Sequence, residues 1–148
     1  MRLRYLISVL LCVAYFFFPK VGYTFSGQWD THFLYPLCHA NIFHLAANIF
    51  CLLMFKSKLR LYYAIPIAII CSFLPPYLTE ETMGFSGVLF AVLGLAWGSV
   101  GRLSEMCRKV LPFVLLTLFL PHVNGFIHLY CLFMGYIVMQ CDKRLRTL

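Results

Sequence analysis

"MGFSGVLFAVLGLAWG", residues 83–98, places Ser86 between two glycines at the head of an uncharged apolar run. Gly87, Ala91, Gly94 and Gly98 recur at i, i+4, i+7 and i+11, a ridge without side chains along one helix face. Such a ridge lets a neighbouring helix approach closely, which is how helices associate where lipid replaces water. The stretch therefore reads as a buried membrane helix with a hydroxyl at its mouth.

Composition carries the same reading to the rest of the chain. Of 148 residues, 62% are hydrophobic and 11% charged, against roughly 45–50% and about 25% in soluble domains. A soluble fold of this length has too little interior to hide that much apolar surface. Charges punctuate six apolar runs, 3–18, 39–55, 61–78, 86–100, 110–122 and 125–141. Stretches such as "YLISVLLCVAYFFF" are apolar all round and lack the alternation of a membrane strand. The expected fold is all-α: one polytopic domain over residues 1–148, a six-transmembrane-helix bundle. Several runs fall short of the roughly 20 residues that span a bilayer, so local thinning or a start below the surface is expected. The first run follows a basic "MRLR" but precedes no small-residue cleavage pattern, so it is read as a helix and not a signal peptide.

Eleven of the twelve Lys and Arg residues fall in the N-terminus (Arg2, Arg4), two alternate loops (Lys56, Lys58, Arg60; Arg102, Arg108, Lys109) and the tail (Lys143, Arg144, Arg146); only Lys20 lies opposite. The positive-inside rule then puts both termini in the cytoplasm. The net charge of +7 is a topology signal, and the loops are too short to gather a nucleic-acid-binding face. Seven cysteines, odd in number and without a CxxC pair, read as small hydrophobes.

The polar residues gather at the other end. All five histidines (His32, His39, His44, His122, His128), with Asn48, Asn124 and Ser86, fall at or near the non-cytoplasmic ends of the runs. Polar groups at such depth are costly without partners, so together they suggest a site. His44 and Asn48 are spaced i, i+4 on one helix face, and His39 precedes His44 by five residues, so all three are expected to point into the bundle. Packing and capping at a helix interface is the plainer account of any one of them. His128 heads the last run, with Cys131 and Gly135 along its stripe. A hydroxyl becomes a strong nucleophile when a base takes its proton, and a neutral imidazole serves at neutral pH. No carboxylate lies close in sequence to orient the imidazole, since Asp30, Glu80 and Glu81 are in loops. A Ser86–His128 dyad is therefore expected, with the Asn48 amide, the His44 ring and the Ser86 N–H as available oxyanion donors.

HxxxxHxxxN (His39, His44, Asn48), GFSG (Gly84 to Gly87) and His128 followed by Gly135 resemble, in content and order, the rhomboid intramembrane serine proteases. The resemblance implies that Ser86 is the nucleophile, His128 the general base, and His44 and Asn48 oxyanion stabilisers. His39, Gly84, Gly87, Phe90 and Gly135 would support them, with Phe90 stacking on the base. It further implies hydrolysis of peptide bonds in or near transmembrane helices of protein substrates. The setting would be a lipid bilayer, a prokaryotic cell (inner) membrane, with the site opening to the non-cytoplasmic side and no cofactor, metal or nucleic acid. Ile127 and Cys131 stand where the family usually has a small residue and a glycine, and Trp29 is followed by Asp30 where it has a Trp-Arg pair. The alternative is a catalytically silent relative that binds transmembrane helices. A haem or metal protein lacks ligands at closing spacing, and a transporter would be expected to show charged mid-membrane helices or repeats.

Overall fold

The computed structural model describes residues 2–24, 28–55, 60–75, 81–120 and 123–147. His122, Lys56, Lys58, Glu80 and the end of the 61–78 run lie outside the described residues. The described chain is helical: α1 (Arg2–Phe17), α2 (Thr31–Leu34), α3 (Ile42–Met54), α4 (Leu61–Ser72), α5 (Ser86–Val100), α6 (Leu103–Lys109), α7 (Leu111–Leu116), a 3-10 turn (Thr117–Phe119) and α8 (Gly125–Leu145).

The bounds of α5 match the sequence expectation, and α1 does so within one residue. The remaining runs differ for identifiable reasons. The second begins at Ile42 and not at 39, because extended Asn41 caps it, its side-chain oxygen accepting from His44 N–H at 2.9 Å. His39 is thus in the preceding loop, off the face that carries His44 and Asn48. The third ends at Ser72, three residues before Pro75. The fifth, expected as one helix over 110–122, breaks into α7 and the 3-10 turn, with α6 ahead of it. Pro112 has no N–H for the carbonyl four residues back, and its ring would crowd that carbonyl, so α6 stops at Lys109 and α7 starts with the proline in its first turn. The last helix extends past 141 to Leu145, and α2 within the first loop was not anticipated.

Among the described residues one helix, α8, is long and apolar enough to cross a membrane by length and composition, and α1, α3, α4 and α5 supply shorter apolar helices. Large apolar side chains stand on the outside, among them Phe16, Phe43, Phe50, Phe113 and Phe119. That surface suits lipid and not water.

The connections alternate between two ends. At one, Arg4 donates to Leu53 O, Tyr63 to Asp142, and Lys143 to Ser99 O. At the other, Lys20 donates to Ala40 O, Tyr23 and Thr82 exchange backbone hydrogen bonds at 3.0 Å, and the Asn124 amide donates to Thr82 Oγ1 at 2.9 Å. The segment from Arg102 to Leu120 therefore travels from the basic end back to the polar end. That return leaves α5 and α8 parallel.

The α5–α8 pair is the most extensive contact between described helices. A Cβ on Gly94 would run into Leu132 O, one on Gly98 would lie 2.7 Å from Tyr136 O, and one on Gly135 would meet Ala91 O. Each helix thus presents a glycine to the other's carbonyl, and the backbones touch. Around this seam Val88, Leu95, Cys131 and Leu132 are fully buried.

The first loop docks on the end of α4 through His32. Its ring stacks between Tyr23 (centroids 4.8 Å) and Phe73 (4.0 Å), and its Nδ1 lies 2.8 Å from Ser72 Oγ. Ser72 gives its hydrogen to Ile69 O at 2.6 Å, so it accepts from the histidine.

The seam and the clamp can each be tested. Gly94→Val should cost roughly 1–3 kcal/mol or more by forcing the backbones apart. Gly101→Ala, whose methyl would have room but whose φ is +77°, should cost only about 1–2 kcal/mol; thermal unfolding in detergent compares them. Burial lowers the His32 pKa below its ordinary value of 6.5, with the Ser72 contact opposing in part. The unfolded chain then binds that proton more readily, so stability should fall as pH drops from about 6.5 through the lowered native value. The difference between wild type and His32→Phe across that window isolates the contribution; no pH dependence in the difference would rule it out.

Candidate active site

Gly84 starts the site. Its φ is +125°, a conformation open to glycine, and the His44 ring lies where a side chain would project, 2.5 Å from an ideal Cβ. The turn it makes delivers Phe85 and then Ser86 to the head of α5. His39 secures the turn: fully buried, it lies with its Nε2 3.5 Å from the Phe85 N–H, which donates to it, and with its ring edge-on to His44 at 5.2 Å between centroids. The sequence expectation had His39 point into the bundle from the second helix; the structure gives it a place in the loop before α3, holding the segment that presents the serine.

Ser86, at the first position of α5, keeps N–H groups at a helix start that have no carbonyl four residues back. Its Oγ lies 2.9 Å from His128 Nε2. The pair sits forty-two residues apart in sequence, one at the head of α5 and the other one turn into α8, and the backbone seam below sets their level. Buried Ile127 does not push them apart: its side chain packs near Gly87, whose Cβ position is 3.5 Å from Ile127 Cγ1 and 3.6 Å from Cys131 Sγ. Phe90, one turn below Ser86, lies against the His128 ring, 4.5 Å between centroids and tilted by 31°. Gly135 serves the site indirectly, through its contact with Ala91 O.

His44 and Asn48 face the same space. Asn48 donates one amide hydrogen to His44 O at 2.9 Å, which orients the amide and leaves its second hydrogen available. Ser86, His128, His44 and Asn48 all line one cavity of about 360 Å³, with Glu81, Thr82 and Asn124 among its polar lining and Cys51, Phe55, Leu89 and Leu93 among its apolar lining. The structure therefore brings Ser86, His128, His44 and Asn48 together, with Gly84 and Phe90 also lining the cavity and His39 and Gly87 behind them. His32 belongs to the first-loop clamp instead.

Two sets of contacts could not be read from the sequence, although Asn124 itself stood among the polar residues of that end. Asn124 caps α8, accepting from Ile127 N–H at 3.4 Å, while its amide ties Thr82 and Tyr23 together over the site. Thr117 Oγ1 lies 3.2 Å from His128 Nδ1, on the side of the ring away from Ser86. A threonine in an apolar run carries no signal of such a contact, because its partner is eleven residues away, beyond the end of its own helical segment.

Chemically, the arrangement offers a hydroxyl, a base within hydrogen-bond range of it, and amide, imidazole and backbone donors around one cavity. That is the equipment of acyl transfer. No curated protein sequence and no solved structure gives a significant match to the chain. A family model of the rhomboid domain matches residues 26–141, more than three-quarters of the chain and all of the site. The protein belongs to the rhomboid family of integral membrane proteins, whose members are intramembrane proteases or inactive relatives of them.

Proposed function

We propose that the protein is an intramembrane serine endopeptidase that hydrolyses peptide bonds in or near transmembrane helices of membrane proteins, with Ser86 and His128 as a catalytic dyad. The observation that carries this reading is the 2.9 Å contact between Ser86 Oγ and His128 Nε2 inside a cavity that also holds His44 and Asn48. Family membership alone would leave an inactive relative equally open; an intact nucleophile and base in contact favour the enzyme.

In the first half-reaction, Ser86 Oγ attacks the scissile carbonyl carbon as its hydrogen passes to His128 Nε2. The developing oxyanion accepts from the free Asn48 amide hydrogen, the His44 ring and N–H groups at the head of α5. The C–N bond then breaks, and His128 gives its proton to the leaving amine. In the second, water loses a proton to His128 and attacks the acyl ester, the Ser86–acyl bond breaks, and the proton returns to Ser86.

The chain is read as crossing the membrane six times, through α1, α3, α4, α5, the succession of α6, α7 and the 3-10 turn, and α8. Both termini and the basic end face the cytoplasm, by the distribution of Lys and Arg. A transmembrane substrate satisfies its own backbone hydrogen bonds, so cleavage requires local unwinding, and small or helix-breaking residues near the outer face are the favoured sites.

Purified protein in detergent should cut a reporter transmembrane helix. Ser86→Ala and His128→Ala should abolish cutting, and a chelator should leave it unchanged. Wild type that binds the reporter as well as both variants do, yet never cuts it, would sink the protease reading in favour of a helix-binding protein. Within the active protein, Asn48→Ala should lower kcat about 10²- to 10³-fold while KM changes little, since the oxyanion exists only after attack.

A further inference from the structure

We infer that Thr117 is a positioning residue that holds the proton of neutral His128 on Nδ1, leaving Nε2 bare toward Ser86; the assignment rests on the dyad reading above. Hydrogen-bond accounting along one chain of contacts carries it.

Thr117 Oγ1 lies 2.6 Å from Val114 O, one turn back. A carbonyl only accepts, so the single hydroxyl hydrogen of Thr117 is committed there. What Thr117 presents to His128 Nδ1, 3.2 Å away, is then a lone pair, and the hydrogen of that contact must come from the ring. In neutral imidazole one nitrogen carries the proton and the other accepts. With the proton on Nδ1, Nε2 is the acceptor, 2.9 Å from Ser86 Oγ, and the serine hydroxyl donates to it. The opposite tautomer would point an N–H at Ser86 and could not take its proton.

The backbone keeps Thr117 there. Gly125 heads α8, and a Cβ on it would lie 2.6 Å from Leu118 N and 2.8 Å from the Thr117 carbonyl carbon. The 3-10 turn thus rests directly on the first turn of α8, three residues before His128. Phe90 against the ring limits its remaining freedom. The arrangement occupies the place a carboxylate takes in a triad, with a neutral acceptor that orients the base and stabilises the Nδ1–H of the imidazolium without adding charge to the bundle. A hydrogen bond that strengthens when its donor becomes charged is worth about ten- to hundredfold in rate, well below the about 10⁴-fold effect of removing a triad carboxylate.

The test compares wild type, Thr117→Val and Thr117→Ser in detergent, by reporter-helix kinetics, thermal unfolding and ¹⁵N spectra of the His128 ring. Expected are a kcat about ten- to hundredfold lower for Thr117→Val with KM and melting temperature unchanged, and recovery in Thr117→Ser to near the wild-type rate. The wild-type and Ser spectra should show a protonated Nδ1 and a bare Nε2, and Thr117→Val a loss of that preference. A Val variant as fast as wild type with the same tautomer overturns the proposal. So does equal loss of rate and melting temperature in Val and Ser, which would mark a packing role. If wild type cuts nothing, the protease reading falls and the spectra alone decide: Nε2 protonated in wild type overturns the Thr117 assignment, and Nδ1 protonated in wild type but not in Thr117→Val supports it.

Discussion

Everything at the polar end depends on the backbone contact between α5 and α8. Ser86 and His128 are far apart in sequence and sit on different helices, so their separation is set by how the two helices slide and rotate. A one-residue slip would move a side chain by about 1.5 Å along the axis and about 100° around it, more than the contact tolerates. Side chains packed against side chains can yield by changing rotamer; a glycine against a carbonyl cannot. Gly94, Gly98 and Gly135 therefore fix the register of the Ser86–His128 contact, roughly two to three helical turns below it.

The polar end has a second problem, which is that loops and helix ends buried within the protein cannot rely on water for their hydrogen bonds. Irregular backbone is tolerated in such surroundings where the protein itself supplies partners. Here side chains from one segment serve the backbone or hydroxyls of another: His39 accepts from Phe85 N–H, Asn124 reaches Thr82 and Tyr23, and His32 reaches Ser72. These ties join the first loop, the turn before α5 and the start of α8 into one cap. Among the described residues the histidine cluster read from the sequence thus divides by place, His128 and His44 facing the cavity, His39 and His32 holding the segments around it.

How much of this the sequence disclosed varied with the kind of signal. The limits of α5 and the pairing of Ser86 with His128 were legible, because small-residue spacing fixes one helix face and the two residues head apolar runs at the same end of the chain's charge pattern. The level of His39 was not, because a cap at Asn41 outweighs the continuity of an apolar run. The fifth run misled for a similar reason: its composition is apolar throughout, but Pro112 governs the backbone there. The contact of Thr117 with His128 could not be read at all, since the chain makes it only on folding. The family relationship covers the site, yet it says nothing of which nitrogen of His128 holds the proton.

The parallel arrangement of α5 and α8 also bears on how the chain is made. Forty-two residues separate Ser86 from His128, and at a synthesis rate of about 5–20 residues per second roughly 2–8 s pass after Ser86 before His128 has even been polymerised. During that interval α5 has its glycine ridge open and no acceptor beside its hydroxyl. The same docking event that covers the ridge brings His128 to Ser86, so before α8 packs against α5 the hydroxyl has no imidazole beside it, and the contact arrives together with the completed packing of the bundle.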